Sequence, residues 1–164
     1  MQTQTTVSRT PRKGRSRLLG VPGALVLCAA LAGSFAAFAA ASGGSVVSAA
    51  HNSRLRASIL VNGQGRTLYV LSPESTHHLL CTSSSCLATW PPLTVSRSTH
   101  LTEGGGVHGK LGELRRSNGS LQVTLNGLPL YLFVGDSGRG EATGEGLKSF
   151  GGTWHAVLAS GRPR

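Results

Sequence analysis

Two cysteines and two histidines in one short segment are the residues of this chain whose types and spacing best suit chemistry. Cys81 and Cys86 enclose four small polar residues, and His77 and His78 lie just upstream. Thiolates and imidazoles are ligands for copper and zinc, so this segment could hold a metal ion or take part in redox chemistry. Outside the cytoplasm, however, two thiols this close normally form a disulfide. We predict a Cys81–Cys86 disulfide and keep an extracytoplasmic metal-binding or redox protein as the alternative function.

The histidines give only weak support for a metal site. Zinc sites usually add a second, well-separated pair of ligands. Adjacent histidines on an extended chain point to opposite faces, so either His77 or His78 would miss the ion. His155, which follows Trp154, is a further candidate ligand. We therefore predict no resident cofactor, and copper or zinc belongs only to the alternative function.

Two short segments resemble motifs of chymotrypsin-like serine proteases. Residues 48–51 read Ser-Ala-Ala-His, and residues 135–138 read Gly-Asp-Ser-Gly. A catalytic triad also needs a carboxylate that orients the histidine. Asp136 is the only aspartate of the chain, and it lies inside the supposed nucleophile motif. The pattern does not supply a triad, and we predict that the protein is not an enzyme.

Two aromatic segments of the chain share one pattern. Each contains a tyrosine, an acid five positions later and a tryptophan further on; the residues are Tyr69, Glu74 and Trp90, then Tyr131, Asp136 and Trp154. The two tyrosines are 62 positions apart, the two acids are 62 apart and the two tryptophans are 64 apart. Three similar offsets over different residue types indicate an internal duplication, with repeats at about 57–95 and 119–159.

The second aromatic segment, residues 131–136, reads Tyr-Leu-Phe-Val-Gly-Asp. It resembles the bacterial secreted repeat of unknown function, a family of predicted lipoproteins with a Tyr-x-(Phe/Trp/Tyr)-x-x-Asp motif. Cys81 and Cys86, followed by Trp90-Pro91-Pro92, look like another recurring element of that family, as do residues 150–155. The resemblance implies an exported envelope protein and implies no particular activity.

The aromatic motif also supplies the candidate binding residues. The first copy departs from the family pattern, since Leu71 stands where the second copy has Phe133, and Glu74 stands where it has Asp136. If the motif binds a ligand, we therefore expect the second copy to bind it. The full set of candidate residues is Tyr131, Phe133, Asp136, Trp154, Tyr69, Glu74 and Trp90.

The spacing of apolar residues and turns predicts a mainly β domain over residues 55–160. Gly-rich turns separate short apolar segments, and no stretch after residue 50 has a sustained 3.6-residue apolar period. The predicted strands are 57–61 and 66–71, 111–115 and 121–125, then 128–134 and 154–159. The first two pairs form predicted hairpins. We expect a small compact domain of two pseudo-repeated antiparallel units, preceded by a flexible spacer at residues 42–54.

The N-terminal 41 residues have the composition of a targeting segment. Basic side chains are concentrated in residues 1–17, and residues 18–41 follow without a charge. This order predicts a cleaved signal peptide, while the length of the apolar run also suits a retained transmembrane anchor. Cys28 allows a third interpretation, lipid attachment, although Leu27 before it is larger than a lipobox prefers. Each of these three interpretations predicts a secreted or membrane-anchored extracytoplasmic domain.

The charge balance limits the classes of function. The chain has 16 Lys and Arg against 6 Asp and Glu, with 23 Gly in 164 residues. The N-terminal segment holds much of the basic excess, so a nucleic-acid partner is not predicted, and the length excludes a large multidomain enzyme. Arg115 and Arg116 are expected to be solvated. We predict an exported cell-envelope protein, a non-enzymatic binding or structural module whose partner is an unknown envelope ligand or polymer.

Overall fold

The computed structural model describes residues 44–164, and short strands make up most of the regular structure. In chain order the elements are β1 Val47–Asn52, β2 Ala57–Asn62, β3 Tyr69–Ser72, α1 Ser84–Thr89, β4 Thr94–Val95, β5 Leu111–Arg115, β6 Leu121–Leu125, β7 Leu128–Pro129, β8 Lys148–Ser149 and β9 Gly152–Ala156. The mainly β prediction is confirmed. The predicted signal peptide or anchor, Cys28 and the first two residues of the spacer lie outside the described residues. Within the described part of the chain, no helix is long and apolar enough to cross a membrane.

The strands form three antiparallel sheets. β1 pairs with β2, β9 lies between β3 and β8, and β6 lies between β4 and β5 and also pairs with β7. The predicted hairpin of β5 and β6 is confirmed, with Leu111 opposite Leu125. Its turn closes where the N–H of Gly119 donates to the carbonyl of Arg116 at 2.9 Å. Gly119 has φ 83°, a left-handed conformation that glycine adopts without strain.

The first predicted hairpin forms over its turn and the adjoining residues, where Val61 pairs with Thr67 and the N–H of Leu68 donates to the carbonyl of Leu60 at 2.9 Å. The side-chain Oδ1 of Asn62 accepts hydrogen bonds from the N–H groups of Gln64 and Arg66 at 3.0 and 2.9 Å, which fixes the turn after β2. Beyond Leu68 the chain leaves β2, and β3 pairs with β9, placing Tyr69 opposite Ala156. Local turn signals do not reveal this pairing, because its two strands lie far apart in the sequence.

The prediction of a flexible spacer is wrong for the residues that form β1. Val47–Asn52 pairs with β2 along its whole length, from Val47 opposite Asn62 to Asn52 opposite Ala57. Val47 is fully buried. The Ser-Ala-Ala sequence inside this strand gives no apolar alternation, and backbone hydrogen bonds to β2 hold it in place instead.

The core has two parts, and strand β3 contributes to both. Tyr69 and Leu71 belong to an aromatic cluster that contains both tryptophans. Val70, together with the preceding Leu68, belongs to an aliphatic cluster. Successive side chains of a strand point to opposite faces, so β3 is buried on both sides. This double burial fixes Tyr69 at the centre of the domain.

Candidate functional site

The aromatic residues of the two predicted repeats form one cluster. The rings of Trp90 and Trp154 stack in parallel, with centroids 3.8 Å apart and an angle of 4° between their planes. Tyr69 meets Trp90 edge to face at 5.4 Å, and Tyr131 meets Trp154 in the same way at 5.2 Å. Phe133 stacks on Trp90 at 4.3 Å. The two edge-to-face contacts have the geometry that aromatic pairs prefer in protein cores.

These aromatic side chains are almost closed to solvent. Every tyrosine and tryptophan in the described residues is at most 1% exposed, and Phe133 is partly buried. Ligands such as nucleic-acid bases bind proteins by stacking on accessible rings. The structure therefore places the candidate tyrosines and tryptophans in the core, where they offer no open platform to such a ligand, and leaves Phe133 partly accessible.

Asp136 ties a loop to the aromatic cluster. Its Oδ2 accepts a hydrogen bond from the Tyr69 hydroxyl at 2.7 Å, and its Oδ1 accepts from the N–H and the hydroxyl of Thr143 at 2.9 and 2.6 Å. Burial, together with this carboxylate, raises the pKa of the Tyr69 hydroxyl well above its usual value. Tyr69 therefore stays protonated and keeps donating, and residues 136–143 are held as a closed loop.

Glu74 closes a loop in the first predicted repeat. Its Oε1 accepts hydrogen bonds from the N–H groups of Leu80 and Cys81 at 2.8 and 3.0 Å, so residues 74–81 are held together. Its Oε2 is buried and has no hydrogen-bond partner among the described residues. Burial and the negative charge of Glu74 raise the pKa of the Tyr131 hydroxyl to about 12. The two predicted acids thus act as loop-closing groups beneath the surface.

Arg116 is buried, so the prediction that it is solvated is wrong. It is 7% exposed, and its guanidinium donates to the Gln122 side chain at 2.5 Å, to the Cys81 carbonyl at 2.6 Å and to the Tyr131 hydroxyl at 3.4 Å. Hydrogen bonds of this kind offset the cost of taking the charge out of water. The partners come from separate parts of the chain, so no local pattern identifies them. Arg115 is exposed, as predicted.

The two cysteines form the predicted disulfide. Cys81 and Cys86 are joined with their Cα atoms 5.5 Å apart, and neither residue is exposed. Ser83 caps helix α1 by accepting a hydrogen bond from the N–H of Cys86 at 3.2 Å. His77 and His78 are exposed. The bond uses both sulfurs, so an intact pair supplies no thiolate to a metal ion.

The histidines do not assemble a metal centre in the part of the chain that the structure describes. Across residues 44–164, no three His, Cys, Asp or Glu side chains gather in a group that could hold an ion. The Nδ1 of His155 instead lies 3.3 Å from the Oε1 of Glu145. This contact is the one salt bridge among residues 44–164. The metal or redox alternative is therefore not favoured.

The protease-like segments do not bring a triad together. The hydroxyl and the N–H of Ser137 donate to the carboxylate of Glu141 at 3.2 and 2.7 Å. Hydrogen bonds from the backbone of Gly138 and of Ser137 lower the pKa of Glu141, so this acid stays ionised and holds the loop. Asp136 is engaged by its tyrosine and threonine partners. These contacts give the segment a structural role.

Two adjoining recesses lie in the surface beside the 136–143 loop. Their volumes are about 340 and about 350 Å³. His51 and Arg139 line both recesses, while Arg54 and Thr143 line only the first. Neither arginine forms a salt bridge with an acid of the described chain. The two arginines come from separate loops and belong to no sequence motif, so nothing in the sequence pointed to them, whereas His51 ends the protease-like segment 48–51 and lies in β1.

The exposed surface of the described residues carries a strong excess of positive charge. Nine basic side chains are exposed, against two exposed acids, Glu103 and Glu113. The bases are Arg54, Arg56, Arg97, Lys110, Arg115, Arg139, Lys148, Arg162 and Arg164. The other four acids are buried or hydrogen-bonded to neighbouring backbone. A surface of this kind attracts anions.

Together these features define a small, disulfide-bonded, antiparallel β domain built around a buried aromatic cluster. Residues 114–158 match a protein family described as a secreted repeat of unknown function. The matched segment contains the 131–136 motif and Trp154, and the resemblance to this family is confirmed. No curated protein and no solved structure matches the chain.

Proposed function

We propose that this protein is exported and acts outside the cytoplasm as a non-enzymatic domain that binds anionic polymers of the cell envelope. The family match supports export, since that family is described as secreted. The Cys81–Cys86 disulfide supports it independently, because disulfides persist in oxidising compartments. The basic segment and apolar run of residues 1–41 support delivery by a signal peptide or a membrane anchor.

The charge of the exposed surface carries the binding proposal. Nine exposed bases against two exposed acids create a positive field over the described residues. Envelope polymers with a phosphate or carboxylate in each unit present many negative charges in sequence, so individually weak attractions add up along one chain. The tyrosines and tryptophans are buried, so this recognition rests on charge and hydrogen bonds instead of ring stacking.

The aromatic motif has a structural role in this proposal. We infer that residues 57–95 and 119–159 are two copies of one unit that interlock through their motif residues. The stack of Trp90 on Trp154 supports this inference, since each copy supplies one ring. The motif acids then hold the loops in place, and the loops present the polar side chains that bind the polymer.

Calorimetric titration of the exported protein with inorganic polyphosphate tests the proposed function. Binding should be measurable at low salt and should weaken steeply as salt is added, because counter-ions screen the charges. Dextran, an uncharged polymer, should not bind under either condition. A protein that fails to bind polyphosphate at low salt would not be the polyanion-binding module proposed.

Two pairs of substitutions make this test specific to the surface. Replacing Arg97 and Lys110 by Gln removes two exposed positive charges and should weaken polyphosphate binding. Replacing Glu103 and Glu113 by Gln removes the two exposed negative charges and should strengthen it. All four side chains are exposed, so their loss changes the stability of the fold little. Shifts of both variants in the same direction would contradict a surface-charge mechanism.

A further inference from the structure

The two recesses beside the 136–143 loop adjoin each other through shared lining residues and form the two halves of one surface feature. Arg139 and His51 line both halves, and we call this feature the Arg139 groove. Arg54 and Thr143 complete its first half. Each half, at about 340 to 350 Å³, is far larger than the roughly 30 Å³ that one water molecule occupies. The groove therefore has room for a polyatomic ligand in each half.

The bases of the groove have no anionic partner within the described protein. The single salt bridge of residues 44–164 joins His155 to Glu145 and involves neither Arg54 nor Arg139. Glu141 is the one acid among the lining residues, and its carboxylate already accepts two hydrogen bonds from Ser137. The groove thus presents two guanidinium groups whose charge is available to an external anion.

Hydrogen bonds hold both walls of the groove in position. The side chain of Asn52 donates to the carbonyl of Gly140 at 2.6 Å, and the N–H of Gly140 donates to the carbonyl of Gly65 at 2.8 Å. The Nη2 of Arg54 donates to the carbonyl of Ala142 at 2.5 Å, which orients its guanidinium. A site organised before binding loses less conformational entropy when its ligand arrives.

Residues of the 131–136 motif form hydrogen bonds that hold the loop lining the Arg139 groove in place. Asp136 closes the loop through Thr143. Arg66 donates to the carbonyl groups of Phe133 and Asp136 at 2.7 and 3.1 Å, which fixes the start of the loop. Arg139 lies between these anchored points of the loop. The motif residues therefore position Arg139 and need no contact with the ligand.

We propose that the Arg139 groove binds successive phosphate groups of a phosphodiester or polyphosphate chain. This inference rests on the proposed function and names the ligand of that surface. Guanidinium groups match phosphate oxygens with paired, charge-assisted hydrogen bonds. Arg139 lines both halves, so neighbouring phosphates of one chain can occupy adjoining recesses. A linear chain can enter such a groove along its length, whereas a flat membrane presents its headgroups in one plane.

Titration of the exported protein with three probes tests this site. Inorganic phosphate tests the anion alone, soluble polyphosphate tests the chain, and vesicles of phosphatidylglycerol in phosphatidylcholine test a lipid source. Polyphosphate should bind at least about tenfold more tightly than inorganic phosphate, because its linked phosphates bind together. Tighter binding to the vesicles than to polyphosphate would overturn the assignment to a linear chain.

Arg139→Gln is the diagnostic variant, and Arg97→Gln is its matched control. Each removes one positive charge from an exposed side chain. Loss of a charge-assisted hydrogen bond should weaken phosphate binding about tenfold or more in Arg139→Gln. Arg97→Gln should weaken binding by less than about twofold, which is the contribution of a single exposed charge to the general attraction. Arg54→Gln provides a second variant of the groove, and its unfolding curve shows whether the bond to Ala142 is needed for folding.

The outcomes separate this site from the general function. If polyphosphate binds and Arg139→Gln behaves like Arg97→Gln, the groove is not the site, although the charged surface still binds the polymer. If inorganic phosphate binds in an Arg139-dependent way and polyphosphate does not bind, the groove is a phosphate site and the polymer function is wrong. If neither probe binds, both proposals are wrong.

Discussion

The N–H of Tyr69 donates to the carbonyl of Tyr131 at 2.9 Å, and the N–H of Tyr131 donates to the carbonyl of Tyr69 at the same distance, 2.9 Å. The two motif tyrosines are thus a hydrogen-bonded antiparallel pair. Their hydroxyls face opposite halves of the chain, since that of Tyr69 donates to Asp136 and that of Tyr131 lies near the charge of Glu74. Each half completes the core of the other, and we expect both to unfold in one transition.

Tyr69→Phe should lower the free energy of unfolding by about 1–3 kcal/mol. The substitution removes the donor to the buried Oδ2 of Asp136 and leaves that oxygen without its partner. Urea unfolding followed by tryptophan fluorescence measures the loss. The double variant with Asp136→Asn should lose less than the two single losses added together, with a coupling of about 0.5 kcal/mol or more. Additive losses would mean that the two side chains do not interact.

Local signals predicted the parts of the fold whose partners lie close together in the chain. The hairpin of β5 and β6 follows from an Asn-Gly turn between two short apolar segments, and its register is observed. The disulfide follows from the short spacing of Cys81 and Cys86, because a short loop brings the two sulfurs together without help from the rest of the fold.

The remaining features depend on partners that are distant in sequence. Strand β1 contains small side chains without alternation, and only its pairing with β2 defines it. The burial of Arg116 depends on the Cys81 carbonyl and the Tyr131 hydroxyl, which the tertiary fold brings together. The Arg139 groove likewise combines two separate loops. Neither periodicity nor motif spacing encodes contacts between residues that are distant in the sequence.

The two tyrosines predict a loss of stability in alkaline solution. The folded protein raises the pKa of Tyr131 to about 12 and raises that of Tyr69 as well, while both ionise near 10 in the unfolded chain. Above pH 10 the folded state therefore binds more protons than the unfolded state. The stabilisation by both groups is fully present below pH 10; the contribution of Tyr131 is lost as the pH rises from about 10 to about 12, and that of Tyr69 continues to fall at still higher pH.

Ultraviolet absorbance of tyrosinate measures this titration directly, because the chain contains only two tyrosines. The native protein should show almost no tyrosinate at about pH 10, whereas the urea-unfolded protein should be about half ionised there. The absorbance step of the native protein should coincide with unfolding followed by circular dichroism. Ionisation of both tyrosines near pH 10 in a folded protein would contradict the buried, hydrogen-bonded environment.

The stacked indoles predict a shared optical signal. Trp90 and Trp154 are the only tryptophans of the chain, and their rings lie 3.8 Å apart. Near-ultraviolet circular dichroism should show a coupled signal that disappears in Trp90→Phe and equally in Trp154→Phe. Each variant should also lower the free energy of unfolding by about 1–3 kcal/mol, because a smaller ring leaves part of the site empty. Single-variant spectra that add up to the wild-type spectrum would rule out the stack.

The double variant Cys81→Ser with Cys86→Ser should lower the free energy of unfolding by about 2 kcal/mol, because the short loop is no longer closed in the unfolded chain. Urea unfolding of both proteins under oxidising conditions measures the difference. Intact mass should show the exported wild-type protein two hydrogens lighter than its reduced form. Free thiols in the exported protein, together with a stability gain on adding zinc or copper, would instead favour the metal alternative.

Phe133→Ala separates a structural role of the family motif from a binding role. Phe133 is partly buried and stacks on Trp90 at 4.3 Å, so its loss should lower the free energy of unfolding by about 2 kcal/mol, less than the about 3–5 kcal/mol of a fully buried aromatic. Phe150→Ala is the matched control, because Phe150 is also partly buried against the same cluster and lies outside the 131–136 motif.

Calorimetry with polyphosphate, below the unfolding temperature of both variants, then gives the decisive comparison. Since the groove is built from polar side chains of the loops, Phe133→Ala and Phe150→Ala should both keep the wild-type affinity. A folded Phe133→Ala protein that lost binding while Phe150→Ala retained it would place the ligand at the motif itself. In that case Phe133, the one motif aromatic with accessible surface, would be its contact.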